Sequence, residues 1–84
     1  MEIHFFAPYR IFHAIPIFGG SRDAEEFGAQ HLRSTQSTAC GQYTFSTAAA
    51  EHLPEEKPTG KIPCRTCTRS GWKEVREAMT VNGK

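Results

Sequence analysis

The sequence predicts a small α+β fold: a stapled β-hairpin followed by a C-terminal helix, with additional strands at the N-terminus. Three observations predict it. The cysteines stand as Cys40 and Cys64-Arg-Thr-Cys67, the first 18 residues are rich in Ile and aromatics, and Trp72, Val75 and Met79 recur at helical spacing. A chain of 84 residues makes one domain. At that size only about 60–65% of the unfolded surface is buried on folding, so the core needs support from a cross-link or a metal. We read 1–84 as a single domain, with 1–20 as N-terminal aromatic strands and 31–79 as the cysteine-bearing core.

Taken in order, residues 3–6 and 9–18 read as strands. Tyr9, Ile11, His13, Ile15 and Ile17 alternate with Arg10, Phe12, Ala14 and Pro16, so both faces are partly apolar. Pro8 and Pro16 predict an edge strand or irregular pairing, because proline has no N–H for a ladder. Gly19-Gly20-Ser21 ends the segment. Asp23 followed by Glu26 is the pattern of a capping box for a short helical turn closing at Gly28. Residues 31–35 and 42–47 read as two short strands around the turn-prone Cys40-Gly41. Residues 48–53 fit either a helical turn or a strand end, and 54–60, with two prolines and a glycine, is the most loop-like stretch. The C-terminal helix follows, beginning near Arg65 or near Ser70, with Gly71 weakening its start and Gly83 able to end it.

An odd number of cysteines cannot be closed by disulfides alone, and Cys-x-x-Cys after a proline is a tight turn that aims two thiolates at one ion. Cys40, Cys64 and Cys67 are therefore candidate ligands of structural Zn²⁺, which favours four tetrahedral nitrogen or sulfur donors. For the fourth position His31, separated from Cys40 by eight residues, is preferred, with His52 as the alternative. His4 and His13 fall within the aromatic segment and read as surface or hydrogen-bonded histidines. A nucleobase deaminase needs His-x-Glu ahead of its Pro-Cys-x-x-Cys, and His52-Leu53-Pro54-Glu55 spaces its Glu one residue too far. A four-thiolate iron–sulfur cluster lacks its fourth cysteine. The reading is non-enzymatic, with no small-molecule substrate.

Net charge is +1, but it is unevenly spread. Residues 1–56 carry three Arg against seven acids, while 57–84 carry seven Lys and Arg against Glu74 and Glu77. On one helical wheel Arg65, Arg69, Lys73 and Arg76 form a basic stripe. It either compensates the thiolates or lies along the phosphates of a nucleic acid. Thiolates kept for metal suit a reducing, cytoplasmic interior. The N-terminal apolar stretch is broken by His4, Pro8, Arg10, His13 and Pro16 and is neither a signal segment nor a membrane span.

The runs His31-Leu32-Arg33, Thr38-Ala39-Cys40-Gly41 and Ile62-Pro63-Cys64-Arg65-Thr66-Cys67 resemble the small His-plus-three-Cys zinc-finger proteins of actinobacteria and their phages. The match spans about residues 31–72. It implies zinc at His31, Cys40, Cys64 and Cys67, but no activity; the fold we expect is a zinc-stapled hairpin and helix in the manner of a treble-clef or ribbon-like finger. The expected function is a binding module of regulatory type that meets a protein partner. The alternative is a nucleic-acid-binding finger using Arg65, Arg69, Lys73 and Arg76.

Overall fold

Strand β1, Glu2–Phe6, turns through Pro8 into strand β2, Ile11–Ile17, and the two pair antiparallel with Phe5 opposite Ala14. The computed structural model describes residues 1–28 and 32–80. After β2 come helix α1 (Ser21–Phe27), the hairpin strands β3 (Thr35–Ser37) and β4 (Thr44–Ser46), and helix α2 (Thr47–Glu51). Strand β5 (Ile62–Pro63) and helices α3 (Arg65–Thr68) and α4 (Lys73–Met79) complete the order. The architecture is α+β as expected, with a three-stranded sheet ordered β1-β2-β5 and a separate β3-β4 pair.

Strand β2 is central in its sheet, which corrects the edge-strand expectation. Its partner on the far side from β1 is β5, running parallel, with Ile11 opposite Ile62 and Phe12 opposite Pro63. Pro16 is tolerated for a reason that the register makes plain. Phe5 sends its N–H to Pro54 O at 2.8 Å and Ala14 O accepts from Ala39 N–H at 2.7 Å, so this pair turns its backbone groups away from the β1-β2 ladder. Two residues on, Ile3 opposite Pro16 has the same outward orientation, and the missing proline N–H costs no ladder bond.

Every residue of β2 from Phe12 to Ile17 is buried, because both faces of the strand are covered. On one side Phe5, Phe12 and Ala14 pack with Val75 and Met79 of α4; on the other Ile15 and Ile17 pack with Ala50 of α2 and with Phe6, Phe45 and Leu53. Gln36 on β3 ties the hairpin to this strand. Its buried amide accepts from Phe18 N–H at 3.0 Å and donates to Phe18 O and to Thr47 Oγ1.

Two helix termini differ from expectation. Helix α1 begins at Ser21, so Asp23 lies inside it and is not its cap; Glu51 of α2 instead accepts from Ser21 N–H at 2.6 Å and from Ser21 Oγ at 2.7 Å. Gly28, with φ of 97°, closes α1 as predicted. The C-terminal region forms two helices, α3 with Cys64 at its N-cap position and α4 with Trp72 at its N-cap position, with Ser70 and Gly71 between them. Val75 and Met79 are buried, but Trp72 stands outside the core with its ring 5.2 Å from that of Phe18. No helix among the described residues is long and apolar enough to cross a membrane.

Candidate metal centre

The loop of the β3-β4 hairpin carries the first thiol. Thr38, Ala39, Cys40 and Gly41 form a tight turn in which Gly41 N–H bonds Thr38 O at 2.8 Å, and Gly41 adopts φ of 78°, the left-handed region that glycine enters at least cost. The other two thiols come from the β5-α3 junction. Cys64 stands at the N-cap position of α3 and Cys67 lies one turn later, with Cys67 fully buried. None of the three cysteines forms a disulfide.

Strand β2 holds both turns in place. Ala39 N–H donates to Ala14 O at 2.7 Å and Cys64 N–H donates to Phe12 O at 2.9 Å, so the edge of β2 that faces away from β1 accepts one bond from each cysteine-bearing loop. Between Phe12 and Ala14 stands His13. Its ring brings Nδ1 to 3.5 Å from Cys40 Sγ. The ligand atoms of His13, Cys40, Cys64 and Cys67 all lie within 4.8 Å of one another.

The donor set and the closeness of this group are compatible with a bound metal ion. With Zn–S near 2.3 Å and Zn–N near 2.05 Å, a tetrahedron has S···N edges of about 3.6 Å and S···S edges of about 3.8 Å. The 3.5 Å between Cys40 Sγ and His13 Nδ1 is long for a strong hydrogen bond but close to that edge. Tyr43, with its ring 5.1 Å from that of His13, and Phe6 enclose the imidazole. Burial lowers the His13 pKa from 6.5, which keeps the ring neutral and its lone pair available at neutral pH.

The electrostatics of the thiols follow from the same contacts. Burial pushes Cys40 up, but hydrogen bonds from the Thr38 hydroxyl, Gln42 N–H, Cys67 and Cys64 together bring it below its ordinary value. Cys67 is pushed up to about 12, by burial first, with Ala14 N–H opposing and the charges of Cys40 and Cys64 raising it further. Three thiolates this close repel one another in a buried setting, and a divalent cation is the group that offsets the repulsion.

The sequence-derived ligands Cys40, Cys64 and Cys67 are thus brought together. His31 lies outside the described residues. His52 is exposed at the C-terminus of α2 and is not in the cluster. His13 is buried and faces the thiols, with Nδ1 in contact with Cys40 Sγ, which corrects its reading as a surface residue and adds it to the candidate ligands. The basic residues stand on two helices, Arg65 on α3 with Arg69 at its C-cap, and Lys73 and Arg76 on α4. Arg76 donates to Ser70 O at 2.9 Å and Lys73 lies 4.0 Å from Glu77. No protein-family model, curated protein or solved structure matches the chain.

Proposed function

We propose that the protein is a non-enzymatic zinc-binding module in which His13, Cys40, Cys64 and Cys67 hold one structural Zn²⁺ and the folded domain docks a protein partner. The observation that carries the reading is the convergence of one imidazole and three thiols from three separate segments within 4.8 Å. A set of four N and S donors, with His13, Cys64 and Cys67 buried and Cys40 half-buried, suits a closed structural site and leaves no position for substrate. In this reading zinc staples the β3-β4 hairpin and the β5-α3 turn to β2, the finger-like device that the cysteine spacing suggests. The fourth ligand is His13 in place of His31.

The partner reading is supported by exposed apolar side chains beside the site. Ile11 and Ile62 are register neighbours on β2 and β5, and Tyr9 next to them is 78% exposed. Adjacent exposed apolar residues of this kind are commoner at interaction surfaces than elsewhere. Nucleic acid is the second reading, favoured by the basic excess of residues 57–84. It is weakened because the basic residues belong to two helices and Arg76 is engaged with Ser70.

Native mass spectrometry of the intact chain tests the metal, with one zinc per chain expected. A folded protein without metal contradicts the proposal. A salt titration of binding to DNA and RNA separates the partners: steep salt dependence would transfer the function to nucleic acid.

A further inference from the structure

Strand β1 carries a second histidine in an unusual setting. His4 is 2% exposed, and its Nδ1 lies 2.6 Å from Leu53 O. A carbonyl only accepts, so Nδ1 bears the proton and Nε2 faces the other way. There Nε2 has no hydrogen-bond partner although it is buried. Glu2 Oε1 approaches it to 3.2 Å without the alignment of a hydrogen bond, and an oxygen of Glu55 lies within the same 4.8 Å cluster. A lone pair opposed to two carboxylates is repulsive unless a cation stands among them.

We propose that Glu2, His4 and Glu55 form a second, exchangeable site for a divalent transition-metal ion. Three features of the cluster suit such an ion. A proton on Nδ1 bound to a main-chain carbonyl is the usual way in which proteins orient an imidazole whose Nε2 ligates metal. Two carboxylates and a neutral imidazole together balance a double positive charge. One nitrogen with oxygens is a borderline donor set, better matched to zinc, cobalt, nickel or manganese than to calcium, which takes oxygen alone. Arg22 holds the second oxygen of Glu2 at 2.9 Å and so fixes the carboxylate that faces His4. Glu55 is exposed, which opens the site to water on that side and makes the ion exchangeable, in contrast to the buried thiolate cluster. The site shares no residue with that cluster and stands or falls independently of it.

The test is a titration of the zinc-loaded full chain with Co²⁺, followed by visible absorption. Binding of cobalt with weak ligand-field bands and no thiolate charge-transfer band supports the site. Glu55→Gln should then weaken that binding by about tenfold or more, the least that even outer partners of a metal ligand contribute. Glu55 is exposed, so this variant folds, and Glu2→Gln provides the second arm. No cobalt uptake beyond the thiolate cluster overturns the proposal, as does an unchanged isotherm in Glu55→Gln. A ¹⁵N spectrum showing His4 protonated at both ring nitrogens in the presence of cobalt at neutral pH also overturns it, because the cation would then be the imidazolium itself.

Discussion

Ala39 donates its backbone N–H to Ala14 O at 2.7 Å, and through that bond the loop that carries Cys40 is fastened to the strand that carries His13. The same strand accepts Cys64 N–H at Phe12 O and sends Ala14 N–H toward the Cys67 sulfur. The four candidate ligands are therefore positioned by main-chain hydrogen bonds on one strand edge. A metal held there couples three segments that are far apart in the chain.

Removal of the metal should then unfold the domain. The binding free energy of structural zinc in small modules is roughly 10 kcal/mol or more, comparable to the whole stability of a domain this size. Chelation is expected to abolish the cooperative melt and collapse amide dispersion in NMR. A chelated protein that keeps its dispersed spectrum contradicts the stapling role.

Thr38→Ala should weaken metal binding without removing a ligand. The Thr38 hydroxyl lies 3.2 Å from Cys40 Sγ and accepts from Tyr43 N–H at 3.3 Å, so it supports both the thiolate and the turn. Loss of that support is expected to raise the Cys40 pKa and to lower zinc affinity by about 10–100-fold. Competition with a chromophoric chelator measures the change. Equal affinities for the two proteins would show that the hydroxyl does not act on the site.

Gly20→Ala should destabilise the junction of β2 and α1. A Cβ at Gly20 would sit 2.5 Å from Glu51 Oε2 and 2.7 Å from Ile17 Cγ2, so the carboxylate could yield only by giving up its bonds to Ser21, and the Ile17 side chain is buried. Overpacking of this kind costs about 1–3 kcal/mol. In a domain this small each kcal/mol lowers Tm by about 4–8 °C. A thermal melt indistinguishable from wild type would contradict the packing described here.

Glu51 sets a pH dependence of known sign. Hydrogen bonds from Ser21 N–H, then from Ser21 Oγ, hold its carboxyl below the ordinary value of 4.5. Because the folded value is depressed, the contribution is present above about pH 4.5 and is lost as pH falls through the folded pKa. The stability advantage of wild type over Glu51→Gln should therefore shrink on acidification. Acid loss of the metal is common to both proteins and cancels in the difference. A difference that is constant or grows toward low pH contradicts the cap.

Local features of this fold were legible in the sequence, and features set by distant partners were not. The Cys-x-x-Cys turn, the Cys40-Gly41 turn and the loop after Leu53 are decided by a few neighbouring residues. Val75 and Met79 were legible as core because both follow the helical period, whereas Trp72 keeps that spacing at the extended N-cap position just before α4 and stands out of the core. His13 was illegible as a candidate ligand because β2 is covered on both faces, so alternation could not say which way its ring turns. Pro16 misled because the register turns its backbone outward, where no ladder N–H is required. The start of α1 could not be read from Asp23 because its cap, Glu51, comes from a helix 30 residues away.

The most direct test of the central claim is the visible spectrum of the cobalt-loaded protein in His13→Ala and His31→Ala variants. The account predicts tetrahedral thiolate-rich bands in wild type, unchanged in His31→Ala and shifted or lost in His13→Ala. Unchanged bands in His13→Ala, or bands altered in His31→Ala, would contradict the assignment of His13 as the fourth ligand.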